Sequence, residues 1–95
     1  MLAINTAAMN FYTTMMNNSA YSMMMGANSQ LGMMNYVGNT IANGGNVNFK
    51  ALAEADTRNS LQMIQDSLNY KISKAMLENL KKKQKEDTKS LNYFA

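Results

Sequence analysis

In the second half of the chain, apolar residues recur at Leu61, Ile64, Leu68, Ile72, Met76 and Leu80. Steps of three and four place such residues on one face of an α-helix. The mean step is about 3.8, longer than the ~3.5 of a left-handed coiled coil, so the stripe predicts nearly straight or right-handed packing. Glu54 with Arg58, and Glu78 with Lys82, stand four apart in the favourable order, worth roughly a few tenths of a kcal/mol each. Lys81, Lys82, Lys83 and Lys85 suit the negative end of a helix dipole. Together these signs predict an amphipathic helix over 47–85 and a basic, apolar tail over 86–95. Between Asp56 and Ser60 the side chains compete for backbone hydrogen bonds, so the helix could split there.

The first half is apolar on most sides. Ile4, Ala7, Ala8, Phe11, Met15 and Met16 make one helical stretch. Ala20, Met23, Met24, Ala27, Leu31, Met34 and Val37 make a second. Asn17, Asn18 and Ser19 lie between them, and Ser19 is a candidate cap for the second. A helix that is apolar all round must be covered on several faces. One chain of 95 residues cannot supply that cover, whereas neighbouring copies can.

Pro is absent, which permits long helices. Asn43, Gly44, Gly45 and Asn46 are residues that tolerate positive φ, and the main turn is expected there. The fold class that follows is all-α: a helical hairpin of long helices with a Gly/Asn turn near residues 43–46, packed into a polymer. The chain reads as one helical domain: uncharged assembly helices over 1–42, the amphipathic helix, then the tail. Gly26, Gly32, Gly38 and Gly44 are spaced by six, a turn of about 240° on an ideal helix, so they do not line one face. They predict close backbone approach at several contacts, with local loops as the alternative.

Charge sharpens this picture. Residues 1–49 carry no charged side chain, and all nine cations and six anions lie between Lys50 and Lys89. A soluble monomer spreads charge over its surface, so the uncharged half is read as a surface for protein contact. A flexible, Asn-rich polar tail is the alternative. Nine of the 11 Met residues fall in the first 34 positions. Met fills irregular gaps, and packing is the reading preferred over a soft-metal site at Met23, Met24 and Met25.

Little chemistry is on offer. Without Cys there is no disulfide or thiolate site, and without His the commonest general base and metal ligand are missing. Glu54 and Asp56 diverge on a helix, Asp66 and Glu78 are far apart, and the glycines lack the lysine of a phosphate loop. No enzyme activity, cofactor or metal is expected. The lysine cluster contains Glu86 and Asp87 and has no interleaved aromatic, so nucleic acid is not an expected partner. Leu91, Tyr93 and Phe94 either dock on a neighbour or fray. No secretory leader or membrane span is expected.

The stretch Ala20-Tyr21-Ser22-Met23-Met24-Met25-Gly26, with Gln30 following, resembles subunits of refractile inclusion bodies, the R-body or "killing trait" family. Asn48, Ala51-Leu52-Ala53-Glu54-Ala55-Asp56-Thr57, Gln62 and Ile64 resemble that family's second, Ala- and Gln-rich block, and Ile4-Asn5-Thr6 is similar to its start. Asn and Met here take places where the family carries charge and Gln. The resemblance implies a subunit that polymerises into a coiled ribbon as a bacterial cytoplasmic inclusion, extends on acidification and breaks membranes. In a chain without His such a response would fall to carboxylates, with Glu54, Asp56 and Asp66 as candidates to take up protons. A second, shorter resemblance links Val37-Gly38-Asn39-Thr40-Ile41-Ala42-Asn43, with Phe49-Lys50, to flagellar rod and hook proteins. It implies an exported envelope filament or type III secretion axial component.

The leading expectation is a structural, self-assembling subunit whose partners are its own copies or paralogues, with membrane contact after assembly. A small helical binding module and a membrane-active effector are the alternatives from other classes. The expected assembly contacts are Phe11, Met15, Met16, Met23, Met24, Gly26, Leu31, Met34 and Val37 in the first half, and Leu61, Ile64, Leu68 and Ile72 in the second.

Overall fold

The structure is a computed structural model that describes the backbone of residues 2–94 and the side chains of residues 5–89. Two long helices pack against each other as a helical hairpin, and no strand occurs among the described residues. Helix α1 runs Leu2–Ala42 and helix α2 runs Phe49–Phe94.

The connection uses the Gly/Asn run. Gly44 takes φ 76°, a conformation that glycine adopts without a Cβ penalty. Its N–H donates to the Ile41 carbonyl at 3.0 Å, and the Gly45 N–H donates to the Thr40 carbonyl at 2.8 Å. This is the Schellman pattern, which satisfies carbonyls that the end of a helix leaves open. Asn48 then opens α2: its side-chain oxygen accepts from the Ala51 N–H at 3.1 Å, an N-cap bond. Val47 and Leu52, both half-buried, occupy the two positions of a hydrophobic staple around that cap.

Two expected breaks are not there. α1 is unbroken through Asn17, Asn18 and Ser19, so Ser19 is not a cap. Asn17 and Asn18 face water, while Ser19 is a small buried side chain on the inner face. α2 is likewise unbroken from Asp56 to Ser60. There the competing side chains are accommodated within helical geometry. The Thr57 hydroxyl donates to the Ala53 carbonyl one turn back at 2.9 Å, and the Asn59 amide donates to the Gly26 carbonyl of α1 at 2.8 Å. The helix also continues past Lys85 to Phe94, so the separate tail over 86–95 is a correction to the expected boundary. The docking role weighed for Leu91, Tyr93 and Phe94 concerns side chains outside the described residues.

Contacts divide the chain into a terminal unit, residues 1–19 with 68–95, and a turn unit, residues 20–67. In the turn unit the covered positions of α2 include Leu52, Ala55, Asn59, Met63 and Asp66. In the terminal unit they include Tyr70, Ser73, Leu77, Leu80 and Gln84. Both sets advance by threes and fours, near the ~3.5-residue repeat of a coiled coil. The inner face is therefore a different line from the 3.8-residue apolar stripe, which starts outside at Leu61 and reaches half-buried cover only at Leu80. Straight or right-handed packing was an expectation about the stripe, and the hairpin does not use the stripe as its seam.

The inner face mixes half-buried Met, Leu and Val with small and polar residues, and the polar ones are the most deeply buried. Leu77 is the buried hydrophobic residue among the described residues, and the most deeply buried side chain is Ser73, 1% exposed. Small side chains let the backbones come close, most plainly at Gly26, where an added Cβ would lie 2.6 Å from Met63 Cγ. Gly32 and Gly38 have open space instead, so of the evenly spaced glycines only Gly26 serves close approach within the hairpin and Gly44 serves the turn.

Candidate functional site

Two features stand out: a polar cluster inside the turn unit and the outward faces of the helices.

The polar cluster centres on Asp66, 5% exposed. Ser22 donates its hydroxyl to Asp66 Oδ2 at 2.6 Å, and Gln62 donates its amide to Asp66 Oδ1 at 3.0 Å. A buried carboxylate needs such donors, because an uncompensated one is expensive to desolvate. Asn59 continues the cluster, with its bond to Gly26 and a longer contact to Met63 Sδ at 3.9 Å. The three candidate proton acceptors thus lie in different settings. Asp66 is buried and hydrogen-bonded across the hairpin, whereas Glu54 and Asp56 are exposed.

The outward faces are apolar. Fourteen large hydrophobic side chains are exposed among the described residues, against the one that is buried. Eight expected contact residues belong to this exposed set: Phe11, Met24, Leu31, Met34, Leu61, Ile64, Leu68 and Ile72. The other five are turned inward. Met15, Met16, Met23 and Val37 are half-buried, and Gly26 is buried against Met63. Tyr21, Met25, Tyr36, Ile41 and Phe49 are also exposed and are not among the expected contacts. Their signal was the missing charge of residues 1–49, which applied to every face of α1 at once and so could not rank them.

Within the turn unit, an open groove of about 680 Å³ lies beside the connection. Its walls include Met33, Val37, Phe49 and Leu52, with Gln30 and Asp56 as polar members. Among the described residues no cluster of three or more His, Cys, Asp or Glu could hold a metal. No helix among them is long and apolar enough to cross a membrane. Glu54, Arg58, Glu78 and Lys82 form no ion pair among the described residues, so the two expected intrahelical pairs are not closed. In water such pairs repay little of the side-chain entropy they cost.

Comparison with family models, with curated proteins and with solved structures finds no match to this chain.

Proposed function

We propose that this protein is a structural subunit that assembles with copies of itself into a ribbon or filament, as an R-body subunit does. The observation that carries the reading is the inversion of the usual burial pattern. Both helices turn large apolar side chains outward, while among the described residues the most deeply buried side chains are the polar Ser19, Asp66 and Ser73 with Leu77 alone as an apolar member. Exposed apolar side chains in such number are what protein contacts cover. At about 25 cal/mol per Å² of apolar area covered, neighbours would supply what the hairpin's own seam does not. The role is mechanical rather than catalytic, and its place is a bacterial cytoplasmic inclusion.

In an R-body-like assembly an acid-driven extension that disrupts membranes would act through carboxylates. Asp66 is the candidate that sits between the two helices of the turn unit, where taking up a proton would change what Ser22 and Gln62 bond to. Glu54 and Asp56 would act at contacts between subunits.

The test is electron microscopy of the purified or overexpressed chain. Ribbons or filaments are expected, and the doubly charged variant Ile64→Lys/Ile72→Lys should retain helical circular dichroism but form none. A dispersed monomer at high concentration would overturn the reading. In that event the groove at Met33, Val37, Phe49 and Leu52 makes a binding module the successor. Ribbons whose length is unchanged by pH after Glu54, Asp56 and Asp66 are all made amides, when the parent ribbons extend, would support the carboxylate trigger.

A further inference from the structure

We propose that α1 pairs antiparallel with the α1 of a second copy over residues 20–42, about a two-fold axis at Leu31. The proposal rests on the self-assembly reading and specifies one of its interfaces, drawn from the turn unit alone. Ala20, Ala27, Met34 and Ile41 recur every seven residues. Met24, Leu31 and Gly38 recur every seven between them. The combined steps of four and three are the heptad spacing of a coiled-coil seam. Every residue of this seam is exposed. The covered line of α1, with Met23, Gly26, Gln30, Met33 and Val37, runs one residue earlier at each step. One residue turns a helix by about 100°, so a further helix can lie along the exposed seam beside α2.

The order of side-chain sizes is what selects the partner. Antiparallel pairing about Leu31 sets Leu31 against Leu31, Ala27 against Met34, Met24 against Gly38 and Ala20 against Ile41. Away from the axis each rung joins a small side chain to a large one, the alternation that lets facing layers interdigitate. Parallel pairing would set Ala20, Ala27 and Gly38 each on its own copy and leave voids at those rungs. A slip of one heptad in one direction sets Met24 on Leu31 and Ala27 on Ala27. In the other direction it leaves Ala20 and Met24 opposite residues beyond the end of α1 at Ala42. Along one edge of the seam Asn28 comes opposite Asn35, both exposed, and two such amides can each donate and accept.

Gly38 has no role inside the hairpin. Among the described residues nothing lies within 4 Å of a Cβ added there, although glycine weakens a helix interior. Met24 of the second copy would use that space. Charge points to the same partner. Residues 1–49 hold no charged side chain, so two copies of α1 meet without burying one. Seated on α2 of the turn unit, the seam would cover exposed Lys50, Glu54 or Arg58 and offer them no counter-charge. Met24, Leu31, Met34 and Ile41 are each more than half exposed. Each brings on the order of 100 Å² of apolar area. With both copies counted, and the small residues and asparagine edge added, the contact reaches the ~1,000 Å² of a specific interface.

Such a pair is closed, since the same patch is used on both copies. Growth into a polymer then falls to another exposed face, of which Leu61 and Ile64 on α2 are members.

The chain has no Cys, so single engineered thiols report their own position. Ala20→Cys and Ala42→Cys leave the large seam residues intact. Positions 20 and 42 face each other in the antiparallel pair, whereas like positions lie about 33 Å apart along the axis. Each variant alone and an equimolar mixture are treated with a short bismaleimide, and products are read by mass spectrometry. A cross-link from position 20 to position 42 in the mixture, with no homodimer in either single sample, is the expected result. Homodimers in the single samples show parallel pairing and overturn the proposal. No cross-link in a sample that contains ribbons by microscopy also overturns it, while the assembly reading stands. The 20–42 link in a sample that never polymerises leaves the pairing standing and removes the polymer. No cross-link in a dispersed sample removes both. As a second measurement, Gly38→Met in both thiol variants should retain helical circular dichroism and lower the cross-link yield about tenfold. Met24→Gly in the same chains should restore it, because the small and large partners are then exchanged. An unchanged yield, or loss without restoration, overturns the size-matched pairing.

Discussion

Ser22 on α1 donates its hydroxyl to Asp66 on α2 at 2.6 Å, joining positions 44 residues apart. This bond ties the helices of the turn unit in one register, since Asp66 can be reached by a short side chain only from the facing turn of α1. Ser22→Ala should destabilise the hairpin by about 1.5–3 kcal/mol, the range for a hydrogen bond to a charged group. Asp66→Ala should cost a similar amount, and the double variant less than the sum. Urea titrations followed by circular dichroism would measure all three, and strict additivity would show that the pair does not interact.

Ser73 makes the opposite prediction. Among the described residues it is the most covered side chain of the terminal unit, and its hydroxyl has no hydrogen-bond partner. An unmade bond of this kind carries a penalty of roughly 1–3 kcal/mol, and Ala is the better helix former. Ser73→Ala should therefore stabilise the chain, by about 1 kcal/mol. A lower thermal midpoint for the variant would mean that the hydroxyl is bonded after all.

The glycines separate by what surrounds them. Gly26→Ala gains helix propensity of about 1 kcal/mol but drives a methyl group to 2.6 Å from Met63 Cγ, a mid-chain atom that cannot swing clear on its own. Overpacking of this sort costs about 1–3 kcal/mol, so the net effect should be destabilising. Met63→Ala in the same chain should relieve the clash. Gly32→Ala and Gly38→Ala meet nothing within 4 Å and should raise helical stability by up to about 1 kcal/mol each. Melting curves of the four variants would rank them.

Methionine oxidation reports on the outer surface. In dispersed chain Met34, 69% exposed, and Met24 should be oxidised by dilute peroxide before half-buried Met15 and Met63. Assembly should slow Met24 and Met34 selectively. Peptide mass spectrometry at timed intervals would detect either pattern, and equal rates at the four positions in both states would contradict the placement of these side chains.

Much of the fold is legible in the sequence. The absence of Pro, the Asn43-Gly44-Gly45-Asn46 run and the helical spacing from Leu61 to Leu80 lead to a hairpin with its turn where the structure has it. In this hairpin apolar periodicity does not mark the packed face. Beside its methionines and leucines, the packed face includes Ser19, Ser22, Gly26, Asn59, Asp66 and Ser73, residue types that in most helices face water or end them. Their spacing near ~3.5 was present in the sequence, but polar side chains carry no signal of burial until a partner such as Ser22 for Asp66 is in view. The Leu61, Ile64, Leu68 and Ile72 stripe lies on one helical face, as its spacing predicts, and that face is exposed. The breaks expected at Ser19 and between Asp56 and Ser60 fail for a related reason. Those side chains found partners or cover compatible with helical backbone, which propensity alone does not foresee.

The scarcity of interior grease, with Leu77 as its sole member among the described residues, has a consequence for the life of the molecule in the cell. Under the assembly reading, shape and company are acquired in one step, because a solitary copy has little to hold it together and its neighbours provide the missing cohesion. Newly made copies below a threshold abundance would be spent as food for proteases, and above it they would be withdrawn into a resistant store. Output of the gene, rather than a separate trigger, would then decide when the material first accumulates.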